Sequence, residues 1–91
     1  MATAILQIKV MPSSPDTDLL SLKQKIEEKL TKAGAKRIEK IEEQDIAFGL
    51  KALIVTLAWP EEKETEEAEK ALSGIEDVSS VDIIDYRRAF G

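Results

Sequence analysis

The chain has 91 residues, of which 43% are hydrophobic, so its length suits one small domain with a real core and is too short for two ordinary domains. Its net charge of −5 argues against a nucleic-acid-binding surface, because such a surface needs positive charge. Cysteine and histidine are absent, which excludes disulfides, thiol chemistry, a Cys/His zinc site and the usual general base near neutral pH.

Targeting signals are also missing from the sequence. There is no apolar run near 18 residues, and hence no predicted transmembrane helix. The N-terminus, MATAILQIKV, lacks the basic start and long apolar middle of a signal peptide. We therefore expect a cytoplasmic protein.

The first third of the chain predicts a strand followed by a helix. In Thr3–Val10, apolar side chains recur with a period of two, which is typical of a strand with one buried face. Pro12 and Pro15 interrupt this pattern. Asp16–Ala33 then carries leucine and isoleucine at the spacings of a helical stripe, and Gly34 follows it as a C-terminal cap would.

The middle of the chain predicts two further strands. Ala35–Glu43 is ambiguous, because its two isoleucines are three apart, as in a helix. The segment is short and uncapped, and a strand must precede the next run, so we predict a peripheral strand. Leu50–Trp59 is almost continuously apolar or β-branched, which is typical of a strand covered on much of both faces, and Pro60 ends it.

The last third predicts a helix over Glu61–Ser73, ended by Gly74, and a strand over Val78–Tyr86. The complete order is then β-α-β-β-α-β, which fits two right-handed crossovers that each place their strands one apart. The predicted fold is an α+β, ferredoxin-like sandwich in which two helices cover one face of a four-stranded antiparallel sheet.

One face of this predicted sheet would remain open and could itself bind a partner. The period of two does not determine the register, so the following residues are candidates either for the open face or for part of the core: Ile5, Gln7, Lys9, Leu53, Val55 and Leu57.

Several motifs have an ordinary structural interpretation. Asp16-Thr17-Asp18 resembles the start of a calcium loop, but the later ligands and the glycine of that loop are missing, so we interpret it as a helix N-terminus. The acidic segment EEKETEEAEK, residues 61–70, indicates a solvated helix start. The predicted central strands offer only Trp59 as an aromatic, which disfavours RNA stacking. Neither a C-x-x-C pair nor a Gly-rich phosphate loop is present, so we expect no metal and no cofactor.

An apolar trio ending in Phe48 lies between the second and third predicted strands, directly before Gly49. The tip of a hairpin is usually polar, yet this one carries one of only two phenylalanines in the chain. Phe48 either folds back onto its own hairpin or contacts a partner. Exposed hydrophobic residues on loops are often contact sites.

A basic pair, Arg87 and Arg88, follows the last predicted strand and precedes Phe90. The pair is either an ordinary solvated terminus or a mobile group that seeks phosphate or carboxylate.

Four segments of the chain resemble elongation factor 1-beta, and specifically its short archaeal form: IKVMPSSPDTDL, DIAFGLKALIV, ALSGIEDVSSVDI and VDIIDYRR. The resemblance covers essentially the whole chain. It implies a ferredoxin-like exchange domain that promotes GDP release and GTP rebinding on elongation factor 1-alpha, the GTPase that delivers aminoacyl-tRNA to the ribosome. Since Met1 leads straight into the first strand, we expect residues 1–91 to be a single exchange domain without the N-terminal extensions of eukaryotic relatives.

The resemblance also implies which residues meet the GTPase. The family carries a glycine-flanked aromatic between strands two and three, which Phe48 and Gly49 match, while Ala47 stands where eukaryotic members have the preceding glycine. Near the C-terminus the family uses a basic residue, a lysine in eukaryotic members, that approaches the magnesium and phosphate region of the GTPase. Arg88 aligns with this lysine, although arginine is a planar fork rather than a point charge, and Arg87 could share the role.

These features imply a protein partner, no direct nucleic-acid contact, no membrane and no covalent chemistry, so we do not expect an enzyme. The alternative is a regulatory domain of the same fold that binds a small molecule, or a plain interaction module. A regulatory domain of that type usually pairs through its sheet and binds an amino acid at the interface.

Overall fold

The computed structural model describes residues 2–89 of the chain, and the side chains of residues 2–88. Within this range the order is β-α-β-β-α-β, as the sequence predicts. The elements are β1 (Thr3–Pro12), α1 (Leu19–Ala33), β2 (Arg37–Asp45), β3 (Lys51–Pro60), α2 (Thr65–Ser73) and β4 (Val78–Ala89). Phe90, which the sequence places beside the basic pair, lies outside the described residues.

The four strands form one sheet in the order β2-β3-β1-β4, and every neighbouring pair is antiparallel. Each β-α-β crossover skips one strand, because β3 lies between β1 and β2, and β1 lies between β3 and β4. This confirms the predicted ferredoxin-like topology. The ambiguous segment is a strand, β2, and it lies at an edge of the sheet as predicted.

The core lies between the sheet and the two helices. Burial alternates along β1 from Ala4 to Pro12, and the helical stripes of α1 and α2 pack onto the same face of the sheet. Burying each leucine, isoleucine or valine of this cluster contributes about 1.5–3 kcal/mol of hydrophobic free energy. The largest fully buried side chains are Trp59, Leu6, Ile8, Leu22, Ile26, Leu30, Leu53, Leu57, Leu72, Val10 and Val55.

The register separates the residues that the sequence could not assign to a face. Leu6 pairs with Leu57 and Ile8 with Val55 across β1 and β3, so these side chains share the helix-covered face. Gln7 pairs with Thr56 on the opposite face, and its Nε2 donates a hydrogen bond of 3.2 Å to the Thr56 Oγ1. The open face therefore carries Ile5, Gln7 and Lys9, while the core takes Leu53, Val55 and Leu57.

Both helices begin later than predicted. Asp18 keeps an extended backbone, and its carboxylate accepts from the N–H groups of Leu20 and Ser21 at 3.1 and 3.3 Å, so α1 begins at Leu19 rather than Asp16. The interpretation of Asp16-Thr17-Asp18 as a helix N-terminus is confirmed, with Asp18 as the N-cap residue. In the other helix, residues 61–63 form a turn and Glu64 has an extended backbone, so α2 begins at Thr65 rather than Glu61.

The last strand is longer than predicted, and this corrects the position of the basic pair. Arg87 pairs with Ile5 and Arg88 with Ala4, so both arginines lie within β4 rather than beyond it. The reason is that β1 begins at Thr3, and its first residues provide ladder partners that continue β4 to Ala89. No helix within residues 2–89 is long and apolar enough to cross a membrane.

Candidate functional site

The tip of the β2–β3 hairpin is a tight turn around Phe48 and Gly49. The Leu50 N–H donates to the Ala47 carbonyl at 2.9 Å, and the Ile46 N–H donates to the Leu50 carbonyl at 3.0 Å. Phe48 and Gly49 have φ values of 55° and 80°. Two successive residues with positive φ are typical of a type I′ turn, which matches the twist of the flanking strands.

Phe48 is strained in its backbone and exposed in its side chain. Positive φ in a bulky residue is an outlier that costs about 1–3 kcal/mol. The side chain is 96% exposed, so it does not fold back onto its own hairpin, which was one of the two alternatives for this residue. The hairpin would be more stable with glycine or asparagine here, and the strained phenylalanine brings no burial in return.

The surroundings of the tip add an apolar residue that the sequence analysis missed. A cleft of about 200 Å³ beside the tip is lined by Pro12, Ser14, Pro15, Leu19, Gly49 and Lys51. Leu20, next to Leu19 in the first turn of α1, is 68% exposed. Leu20 lies outside the apolar stripe of α1 that begins at Leu19. An apolar residue off this stripe is the sequence feature that could have indicated its exposure. Phe48 and Leu20 thus expose apolar surface at the same end of the molecule.

A charged cluster braces the hairpin against α1. The Lys23 Nζ donates to the Glu43 carboxylate at 3.2 Å, and the Lys51 Nζ lies 3.5 Å from the other oxygen of Glu43. The hydrogen bond and charge of Lys23, together with Lys51, lower the pKa of Glu43 below its ordinary value. The cluster joins α1, β2 and β3 near the tip, so it helps to hold the hairpin that carries Phe48.

The two arginines lie on opposite faces of the sheet. Arg87 faces the open side, and its Nε lies 3.0 Å from the Asp85 carboxylate. Arg88 shares the helix-covered side with Ala4, and its Nε lies 2.9 Å from the Glu61 carboxylate. Both side chains remain largely exposed, at 79% and 78%. Each guanidinium group is therefore paired with a carboxylate, and its exposed part remains accessible to a partner.

A β-bulge decides which arginine takes which face. Gln7 pairs with Asp85 and Ile8 with Ile83, so Ile84 is an extra residue in β4. Without this bulge, strict alternation from Ile83 would place Arg87 on the helix-covered side. The bulge places Arg88 on the helix-covered side instead, because an extra residue in a strand reverses the face of every side chain that follows it.

The structure does not bring Phe48 and the arginines together. Lys51 begins β3 just after the tip. Trp59 lies eight residues further along the same strand (59 − 51). It pairs through Ala4 with Arg88, so these three residues form one row across the sheet. At about 3.3 Å per residue, this row is about 26 Å along β3 from the tip end. The molecule is 41 Å long, so the two groups lie near its opposite ends.

Other candidate chemistry finds little support in the geometry. Trp59 is fully buried, so it cannot stack on a nucleic-acid base. Within residues 2–89, no group of three acidic, histidine or cysteine side chains is arranged to hold a metal ion. The cleft beside the tip is smaller than the roughly 300–1000 Å³ of most small-molecule sites.

Comparison with known proteins identifies a consistent set of relatives. A model of the EF-1 guanine nucleotide exchange domain matches residues 5–89. The chain is 45% identical to elongation factor 1-beta of Methanothermobacter thermautotrophicus over 97% of this chain and 98% of that protein. It is 47% identical to the protein of that name from Methanosarcina barkeri, over 97% and 99% of the two chains, and 40% identical to that from Natronomonas pharaonis, again over 97% and 99%.

Proposed function

Because the chain belongs to the EF-1 guanine nucleotide exchange domain family, we propose that it acts as one exchange domain that promotes GDP release and GTP rebinding on elongation factor 1-alpha. The relatives are named elongation factor 1-beta, and their similarity to this chain extends over almost their whole length, which supports this proposal. The site of action would be the cytoplasm, where translation takes place.

Exchange of this kind is a change of binding partners and forms no covalent bond. A GTPase holds GDP through phosphate contacts and a magnesium ion, and the exchange factor stabilises a state in which those contacts are weaker. A thousandfold faster release of GDP requires the activation free energy of release to fall by about 4 kcal/mol. Binding energy from contacts outside the nucleotide site can supply this amount, so the absence of histidine and cysteine is no obstacle.

The observation that carries the proposal is the exposed and strained Phe48. Its side chain offers nearly its whole apolar surface to a partner, and full burial of a phenylalanine contributes about 1.5–3 kcal/mol. Gly49 and Ala47 form the turn that projects it, and we assign all three to the GTPase interface. The ring acts as a wedge that is buried only in the complex.

Arg88, together with Arg87, supplies the second contact at the other end of the sheet. A guanidinium brought near the magnesium and phosphate region competes with the metal for oxygen ligands or repels it. Since the wedge and the row of the cations are separated by about 26 Å along the sheet, they contact separate regions of the GTPase. The exchange domain then bridges two parts of its partner, and neither contact alone accounts for the acceleration.

Linkage provides an experiment that tests this proposal. If the domain weakens GDP binding, GDP must weaken binding of the domain by the same factor. We expect a stable complex with nucleotide-free elongation factor 1-alpha that dissociates when GDP and magnesium are added. Equal affinity of the domain for the GDP-bound and nucleotide-free GTPase would contradict exchange activity.

The alternative, a regulatory domain that binds a small molecule, makes a different prediction. A ligand that binds the folded state raises thermal stability by mass action. Thermal melts with candidate amino acids would reveal such a ligand, and a rise in the thermal midpoint with one of them would favour this alternative.

A further inference from the structure

Arg88 is paired with an acidic residue that is more buried than itself. The side chain of Glu61 is 20% exposed, whereas that of Arg88 is 78% exposed. Within the part of the chain that the structure describes, Glu61 is the carboxylate that Arg88 meets, at 2.9 Å from its Nε. Because Glu61 is the more buried partner of this ion pair, we expect its position to constrain that of Arg88.

The turn that carries Glu61 is fixed at several points. The Glu61 N–H donates to the Ala2 carbonyl, and the Lys63 N–H donates to the Pro60 carbonyl at 3.2 Å. The indole N–H of the buried Trp59 donates to the Lys63 carbonyl at 3.3 Å. A carboxylate mounted on such a turn has little freedom, so it can fix the direction of a side chain that pairs with it.

The small residue between the two partners makes the pair possible. Ala4 on β1 is the ladder partner of Trp59 on one side and of Arg88 on the other. Arg88 therefore reaches from β4 across β1, over an alanine side chain, to the turn after β3. The bulge at Ile84 is equally necessary, because it puts Arg88 on this face.

The atoms that form the pair leave the far end of the guanidinium available. The contact is with Nε, the guanidinium nitrogen nearest the backbone, so the two terminal amino groups lie further out along the side chain. These carry four of the five N–H donors of an arginine and bind oxyanions in a planar, bidentate manner. An arginine whose Nε is already held by a carboxylate loses less side-chain entropy on binding a partner than an unrestrained arginine does.

We propose that Glu61 is a positioning residue that orients Arg88, so that its terminal amino groups meet an oxyanion of the GTPase–nucleotide complex. This inference rests on the proposed exchange function. Glu61 itself contacts neither nucleotide nor GTPase, and it acts only through Arg88.

The test measures the rate of GDP release from elongation factor 1-alpha against the concentration of the domain. Glu61→Gln should lower the maximal rate by about fivefold or more, with little change in the half-saturating concentration. Glu61→Asp keeps a carboxylate and should recover part of the rate. Glu62→Gln, which removes the same charge from the next position in the turn, should behave as wild type. Thermal midpoints should stay within roughly 4 °C of one another, because an ion pair with one largely exposed partner contributes little stability.

A double-mutant cycle with Arg88→Ala shows whether Glu61 acts through this arginine. In the Arg88→Ala background, Glu61→Gln should have no further effect. The inference is wrong if the two effects multiply, if Glu61→Gln exchanges as fast as wild type, or if Arg88→Ala does. A wild-type domain that fails to accelerate release at all would instead contradict the proposed function.

Binding to the nucleotide-free GTPase then identifies the oxyanion that Arg88 meets. If it is a phosphate of the nucleotide, Glu61→Gln binds the nucleotide-free GTPase as tightly as wild type. If it is a carboxylate of the GTPase, the variant binds more weakly. If the Glu62→Gln control also binds the nucleotide-free GTPase less tightly than wild type, the inference is wrong, because loss of charge alone would then explain the effect.

Discussion

Replacing Phe48 with glycine separates the stability of the hairpin tip from its function. Glycine accepts a positive φ without strain, so the change removes a cost of about 1–3 kcal/mol. The unfolded chain gains about 0.5–1 kcal/mol of conformational freedom, which opposes this effect. We expect the Phe48→Gly domain to be about 1 kcal/mol more stable than wild type, which raises the thermal midpoint by roughly 4–8 °C.

The same substitution should damage exchange. The Phe48 side chain is 96% exposed, so nearly all of its apolar surface is available to be buried in the complex. Losing about 1.5–3 kcal/mol of burial slows exchange by roughly tenfold to a hundredfold. Phe48→Ala is the matched control, because it loses the ring but keeps a side chain at positive φ. It should exchange at least about tenfold more slowly than wild type, with a stability near that of wild type.

Thermal melts and GDP-release rates on the same preparations would test both parts. The reasoning is refuted if either variant melts well below wild type, because Phe48 would then belong to the core. It is equally refuted if both variants exchange at the wild-type rate, because the exposed ring would then have no role in the interface.

Further predictions concern the core, the basic pair and the charged cluster. Val55→Ala should cost about 2–3 kcal/mol in a denaturant titration, and Ile54→Ala on the open face distinctly less; equal costs would contradict the register. Joint replacement of Arg87 and Arg88 by alanine should slow exchange more than either single change while leaving stability within about 1 kcal/mol, and the defect should shrink when magnesium is chelated. The pKa of Glu43 is lowered in the folded state, so its stabilising effect should be present above its ordinary value of 4.5 and lost as the pH falls through the lowered value. The stability gap between wild type and Glu43→Gln should therefore close on acidification, and a gap that stays constant would contradict the pairing.

The order of elements could be predicted because it depends on local patterns. The period of two in β1 and the helical spacing of leucines in α1 are properties of single segments, and both survive in the folded protein. The edge position of β2 followed from the same topology. Element ends were less predictable, because tertiary contacts decide them: the turn after Pro60 is held by the Ala2 carbonyl and the Trp59 indole N–H, and it delays the start of α2.

The candidate site was predictable in its residues but not in its geometry. Phe48 stood out because an apolar ring is unusual at a hairpin tip, yet its positive φ follows from hydrogen bonds across the turn. The placement of Arg87 and Arg88 depends on the length of β4 and on the bulge at Ile84, and both come from pairing with β1. Glu61 belonged to a run of acidic residues that looked uniformly solvated, and only the fold brings it to Arg88.

The most direct test of the central claim is the release rate of labelled GDP from elongation factor 1-alpha, measured with excess unlabelled nucleotide and increasing amounts of the domain. We predict that the rate rises with domain concentration and reaches a plateau far above the intrinsic rate. The plateau should be lower for Phe48→Ala and for the double arginine variant. A rate that stays at its intrinsic value at every concentration of folded domain would contradict the account.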